Sequence, residues 1–538
     1  MTQPPPPPPG QPPHGGWSLP PQPPSPPPGG PPGPPPAQPP GGGSAGQPQY
    51  GGYPSAPPVP PSSPSAPVPQ GPYGPQPPSG PPSGSGGANT KVLAAVAAVV
   101  AVVLIAGGIW MFTGDDGGNG GGGQAKDSSA VPGGRTAEQL FTLEQPNTHV
   151  KESKGADGAW ATKKIYAKST INAVEGYRMS GKRAWRIPLG GPVCAASPHM
   201  TDEHLTAVGF EKSGHGCNSV AVFDVDTGEK LWERPVPFGD TIFGGGDLNL
   251  TVAQDTVALS WIGGFAAYPI EGGDPLWKSK ETGETCEHTR YGGGARLLVV
   301  LECGSTLTVN QLDPKTGHST WDVKLPRGVE DGRSVRVVDT DPIVLVVGTG
   351  GEVESEVMTI DDKGSVAATF SLGKRYEPGC GIGNMGSESC FNVVATDETV
   401  FVSTKEHDGK GDFAETNEVM GFGFHSGEPK WKSSSGDDRT VYPIGIEGDK
   451  AIAYVTPTLR KGGQVVSVSA KDGKQRGLLR LPDKSAEQQG NFRVPTMSTS
   501  APALYEGGRL FLQRSLLYGK EESQKDAAPM AMGFGTGR

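Results

Sequence analysis

The stretch Val220-Ala-Val-Phe-Asp-Val-Asp-Thr-Gly-Glu-Lys-Leu-Trp232 decides the fold. An alternating apolar strand runs into an Asp/Thr/Gly turn, and a second strand leaves it carrying an aromatic, so the segment reads as a hairpin. The same punctuation, a glycine with tryptophan four residues later, recurs at Gly181/Trp185, Gly228/Trp232, Gly273/Trp277, Gly317/Trp321 and Gly427/Trp431. Gly364 and Gly473 keep the turn but carry Ala368 and Gly477 in place of the tryptophan. Successive glycines lie 47, 45, 44, 47, 63 and 46 residues apart, the length of a four-stranded propeller blade (roughly 40–50 residues) rather than of a leucine-rich or ankyrin repeat. Helical arrays of similar period are excluded because Gly, Pro, Thr and Val interrupt every window that would need a 3.6-residue apolar stripe. The fold class is all-β.

Seven punctuation glycines do not fix seven blades. After Gly473 the chain offers strands at Ala501-Pro-Ala-Leu-Tyr505 and Arg509-Leu-Phe-Leu-Gln513, then ends with Ala531-Met-Gly-Phe-Gly-Thr-Gly537, similar to Val419-Met-Gly-Phe-Gly-Phe-His-Ser-Gly427. This eighth unit stops one strand short. Glu138-Gln-Leu-Phe-Thr-Leu-Glu144 is similar to Glu229-Lys-Leu-Trp-Glu-Arg-Pro235, with Phe141 at the tryptophan position. Donating that N-terminal strand to the last unit closes the ring and removes two exposed sheet edges. The expectation is an eight-bladed propeller, with seven blades as the alternative. The tryptophans are expected between adjacent blades, and the blades that lost theirs, with Ala368 and Gly477, are expected to pack less well. The 63-residue unit should carry its insertion around Cys380–Cys390 and Glu406 to Asn417.

The six cysteines fall in pairs within single repeat units, which predicts bridges Cys194–Cys217, Cys286–Cys303 and Cys380–Cys390, because strands of one blade bring Cα atoms to disulfide separation. Buried free thiols are the alternative. Bridges would place the domain in an oxidising compartment.

Residues 1–90 hold 37 of the 57 prolines and no Lys, Arg, Asp or Glu. They read as a disordered tail with polyproline II runs, a solvated spacer or a ligand for SH3-like or WW-like domains. Val92 to Phe112 is 21 residues without a charge, long enough as a helix to cross a bilayer. Residues 91–113 are expected to form a single transmembrane helix. Lys91 before it and Asp115 and Asp116 after it put the tail in the cytoplasm and residues 114–538 outside. Residues 114–135, with six glycines between Gly117 and Gly123, read as a flexible linker, and 136–538 as the extracytoplasmic propeller. The part beyond the span carries 45 basic and 56 acidic residues, a net of −11, which argues against nucleic acid or anionic lipid as its partner.

The strand-Asp-x-x-[Thr/Ser]-Gly-x-x-x-Trp pattern at 220–232, with relatives at 307–321 and 417–431, resembles the PQQ-like β-propeller repeat, a family that includes quinoprotein alcohol dehydrogenases and BamB-type scaffolds of outer-membrane protein assembly. The resemblance spans about residues 136–538 and is specific for fold rather than chemistry. For the dehydrogenases it implies an adjacent cysteine pair stacked on the quinone PQQ, a Ca²⁺ held by Glu and Asn, and an Asp base. The sequence has no Cys-Cys and no acidic run of calcium-loop spacing. Asp224-Val-Asp226 reads as turn chemistry, and Gly244–Gly246 and Gly292–Gly294 as tight turns. No His-Glu-x-x-His or Gly-x-Ser-x-Gly stands anywhere.

No catalytic, cofactor-binding or metal-binding residue is therefore assigned. The expectation is a monomeric, membrane-tethered, non-enzymatic binding, scaffold or sensing propeller taking a protein, peptide or cell-wall glycan. A PQQ- and Ca²⁺-dependent dehydrogenase is the alternative.

Overall fold

Among the described residues eight antiparallel blades follow one another along the chain, each built from four consecutive strands apart from a hairpin inserted in blade six and the adjustments that close the ring. The computed structural model describes residues 131–146, 154–213, 216–238, 248–279, 286–350, 355–380, 388, 390–411, 414–492, 503–517 and 529–537. The tail, the expected membrane helix and most of the linker lie outside the described residues. Among the described residues no helix is long and apolar enough to cross a membrane.

Blade one spans Ala159–Ala161 to Arg183–Pro188, and blades two to seven begin at Val193, Asn249, Glu287, Val335, Val393 and Val441. Blade eight takes Leu504–Glu506, Arg509–Gln513 and Ala531–Gly535 from the C-terminus, and its outer strand is Glu138–Leu143 from the N-terminus. The register sets Glu138 against Gly535, Phe141 against Gly533 and Leu143 against Ala531. The core is not one mass but a ring of eight apolar seams, one per pair of neighbouring blades. The seam joining blade eight to blade one contains Phe141, Leu143, Tyr166, Phe511 and Ala531.

The glycine-tryptophan spacing has a steric cause. Each tryptophan lies over the turn glycine of the next blade: Trp185 over Gly228, Trp277 over Gly317, Trp321 over Gly364 and Trp431 over Gly473. Those glycines have φ between 69° and 75°, a left-handed conformation, and any Cβ there would collide with the indole. Gly273 departs from the pattern; in blade three Trp232 lies over Gly272 instead. Trp232, Trp277 and Trp431 also donate Nε1–H to Ile270, Pro314 and Ala470 carbonyls of the next blade at 2.8–3.0 Å. Phe141 takes the same place over Gly181.

The expectation of loose packing at Ala368 and Gly477 is corrected. In blade five Phe370, two residues beyond Ala368, covers Gly427 and stacks on Phe422 at 4.3 Å. In blade seven a fifth strand, Gly133–Thr136, pairs in parallel with Gln475–Arg480 and lays its backbone on Gly477. A Cβ at Gly477 would stand 2.8 Å from the Gly133 carbonyl carbon, so the glycine is what admits the strand. The linker read over 114–135 therefore ends earlier: residues 133–135 belong to the propeller.

Because strands alternate in direction, the two faces of the ring differ. One face, the turn face, carries the short glycine turns between third and fourth strands. The opposite face carries the links from blade to blade, and on it lie the three disulfides, Cys194–Cys217, Cys286–Cys303 and Cys380–Cys390, with Cα separations of 5.8, 4.2 and 3.8 Å. The blade-six insertion divides as expected between the 372–392 link and an extra hairpin, His407–Asp408 with Glu415–Thr416.

Candidate functional site

Two arrangements among the described residues are built on the blade-six insertion. The first is in the centre of the ring, where the first strands of successive blades contact one another. Glu388, from the Cys380–Cys390 link, reaches three blades. Its Oε1 lies 2.7 Å from His199 Nε2 and accepts the Gly293 N–H at 2.6 Å, and its Oε2 accepts from Thr251 Oγ1 at 2.9 Å. Thr340 Oγ1 donates to the Gly293 carbonyl at 2.7 Å. Gly293 has no room for a side chain, since a Cβ would meet Thr251 Oγ1 and the Val252 carbonyl. The Gly292–Gly294 run is thus more than a turn; it presents a backbone donor to a carboxylate.

Burial alone would push the His199 imidazole down, but Glu388, by charge and hydrogen bond, and Asp339 behind it hold it above its ordinary value. The Asp339 carboxyl is pushed up by burial, against the backbone N–H groups of Asp341 and Thr340 and the charge of His199. A histidine raised on folding stabilises the fold fully below about pH 6.5 and loses that contribution as pH rises through the folded value. The melting temperature is therefore expected to fall between pH 6 and pH 8 in the native chain. Glu388→Gln should flatten that slope; an unchanged slope would remove Glu388 as the partner that matters.

The second arrangement is a cleft of about 780 Å³ on the linking face, between blades six and seven. Its walls come from additions to the ordinary blade: the extra hairpin, the 456–461 turn, and the 3₁₀ turn and helical turn over Asp483–Gly490. Side chains fix these walls. Asn417 Oδ1 accepts from Val441 N at 2.7 Å and roots the hairpin on blade seven. Gln489, fully buried, accepts from Gly463 N at 2.8 Å and donates to Pro482 O and Ser485 Oγ. In the cleft Tyr442 donates its hydroxyl to Glu406; burial first, then the Glu406 charge, pushes that hydroxyl's pKa well up, so it stays a donor. Asp438 stands part-buried on the cleft wall, and its Oδ1 has no hydrogen-bond partner among the described residues.

Asp224 and Asp226 divide their roles. Asp224 Oδ1 accepts from the Asp226 and Thr227 amides at 2.7 and 3.1 Å, which is turn chemistry. Asp226 instead ties blade two to blade one, accepting from Thr162 Oγ1 at 2.6 Å and Lys164 Nζ at 3.2 Å, with His204 Nδ1 at 3.3 Å. Burial opposes its ionisation, yet these donors outweigh it and hold the carboxyl below the usual range. Its contribution is thus present above about pH 4 and lost as pH falls through the folded value. Asp226→Asn should lower stability at pH 7 by about 1–2 kcal/mol in denaturant titration, and a loss that persists undiminished at pH 3 would remove the charge from the account.

Each cysteine is bridged to one 10, 17 or 23 residues away rather than to a neighbour. Among the described residues no three His, Cys, Asp or Glu side chains gather as a metal-ligand group.

The family described as outer membrane protein assembly factor BamB matches residues 133–300 and 305–513. No curated protein matches the sequence. Among solved structures, BamB from Moraxella catarrhalis is similar at 12% identity and TM-score 0.42, covering 75% of this chain and 98% of its own. The quinohemoprotein alcohol dehydrogenase from Comamonas testosteroni is similar at 10% identity and TM-score 0.43, covering 75% and 77%. The quinohemoprotein alcohol dehydrogenase ADHIIG from Pseudomonas putida HK5 is similar at 9% identity and TM-score 0.43, covering 77% and 78%. By the extent of its match, this eight-bladed propeller belongs to the PQQ-like repeat family described as outer membrane protein assembly factor BamB.

Proposed function

We propose that this protein is a membrane-tethered, extracytoplasmic binding or scaffold module whose working surface is the linking face of the propeller. One observation carries the reading: the three disulfides, the extra hairpin, the Asp483–Gly490 turn and the large cleft gather on that face, while the other holds tight glycine turns. Loops braced on a rigid scaffold are where recognition concentrates, and bridges brace loops in oxidising compartments.

The large apolar side chains exposed among the described residues divide between the faces, Ile262 and Leu459 on the linking face and Leu276 and Val366 on the turn face. Photo-crosslinking amino acids placed at Leu459 and, on the opposite face, at Lys315 in the full-length protein test the reading in intact cells. Discrete adducts from Leu459 and none from Lys315 are expected. Equal yields at both positions would sink the assignment of a working face.

A further inference from the structure

We infer that the cleft between blades six and seven is a binding site for an extended peptide segment presenting lysine or arginine; this deepens the reading of the linking face and rests on it. The volume, about 780 Å³, is in the range of sites that enclose several side chains. Its charge is one-sided. Glu406, Glu415, Asp438 and Glu487 line it against Lys410 and Arg460, and Lys410 is engaged by Asp437 at 2.6 Å.

The unpartnered Asp438 oxygen is the sharper clue. Asp438 is part-buried on the cleft wall, and its Oδ1 accepts no hydrogen bond among the described residues; an ammonium or guanidinium group in the cleft is the donor that would pair with this carboxylate and neutralise its charge. Glu406 is not free in the same way, since it already accepts from Tyr442. The cation would sit nearest Asp438.

The rim argues for a peptide rather than a bare ion or a neutral glycan. Leu459 is 93% exposed on a turn that Thr458 fixes, its Oγ1 accepting from the Arg460 and Lys461 amides at 3.3 and 3.0 Å. A leucine held in solvent beside acidic groups matches a ligand that alternates apolar and basic side chains. The net charge of −11 beyond the expected span steers such a ligand inward.

The test uses the full chain in nanodiscs of zwitterionic lipid and a fluorescein-labelled peptide, Gly-Leu-Lys-Gly-Leu-Lys-Gly, read by anisotropy. Saturable binding is expected, weakened about tenfold or more by Asp438→Asn and several-fold by raising salt from 50 to 300 mM, as surface charges are screened. Leu459→Ser should weaken it about threefold, whereas Asp472→Asn on the turn face should change nothing. The Lys→Glu version of the peptide should not bind, and chitohexaose should not compete. Asp438→Asn keeps the size and shape of a side chain that makes no hydrogen bond through its Oδ1 among the described residues, so its melting temperature should hold, which separates lost binding from lost folding. Wild-type affinity in Asp438→Asn, an equal loss in Asp472→Asn, or binding of chitohexaose without the lysine peptide would each overturn the inference. Should Leu459 crosslink in cells while the lysine peptide fails to bind, the working face stands and the cation site falls.

Discussion

Phe141→Ala is expected to cost about 3–5 kcal/mol of unfolding free energy, the range for deleting a buried aromatic side chain, and to do so at the one seam that joins the two ends of the domain. Phe141 is 6% exposed, lies 5.7 Å from Tyr166 and 6.1 Å from Phe511 between ring centroids, and stands over Gly181 of blade one. Its loss leaves a cavity between blades eight and one, and it frees a strand whose apolar attachments are few: Leu143 and the partly buried Leu140. Denaturant titration of wild type and variant should show the shift. Deleting residues 131–146 should do more, leaving Ala531–Gly535 as an open edge and promoting association through it. A midpoint unchanged in both proteins would mean that the ring does not close through this strand.

Gly477→Trp is expected to destabilise although it restores the residue that five other blades carry. Consensus replacements usually help a repeat. Here the indole would occupy the space taken by the backbone of Gly133 and Gly134, since even a Cβ at Gly477 falls 2.8 Å from Gly133 C and 3.0 Å from Gly134 N. The Gly133–Thr136 strand would be expelled, with its register against Gly477, Leu479 and Arg480 and the 2.8 Å bond from Ala137 N to Arg480 O. Overpacking of this kind costs about 1–3 kcal/mol, and the displaced strand adds to it. The sign should reverse once the strand is absent: in a chain lacking residues 131–136, Gly477→Trp should be neutral or stabilising, because the indole then covers an exposed seam. A destabilisation of equal size in both backgrounds would show that strand and side chain do not compete.

These two sites mark how far the sequence could be read. The blade period was legible because a left-handed glycine and the indole covering it recur locally, and each repeat reports the same steric fact. Closure was legible for the same reason: Phe141 sits in a segment built like the outer strand of blade two. Cysteine pairing followed from which turns each pair falls between. Gly477 was misread because a missing tryptophan signals lost packing only if nothing else arrives, and the arriving strand lies some 340 residues away with no motif of its own. Phe370 escaped notice because it is displaced by two residues from the expected position, which keeps it on the same face of its strand.

Glu388 was illegible in a different way. Its partners His199, Thr251 and Gly293 lie 189, 137 and 95 residues distant, and no spacing rule connects them. The cleft likewise depends on insertions whose proximity arises only when blades six and seven stand side by side. Asp226 looks like its neighbour Asp224 in the chain, and only the arrival of Thr162 and Lys164 from blade one separates a turn former from a staple between sheets.

The arrangement of blade eight also sets an order of events during synthesis. Among the described residues Glu138–Leu143 is the second strand in chain order, and its partner Ala531–Gly535 is the last. Among the described residues this strand, and Gly133–Thr136 just before it, therefore wait unpaired until their partners are made late in translation, and pairing across so long a separation is slow. Seven blades can stack in sequence as they emerge, but a nascent chain carries an unsatisfied strand at each end of the growing arc, the form most prone to pairing with the wrong neighbour. Polar Glu138, Gln139 and Thr142 on the waiting strand blunt that hazard, keeping the segment soluble until its own C-terminus arrives.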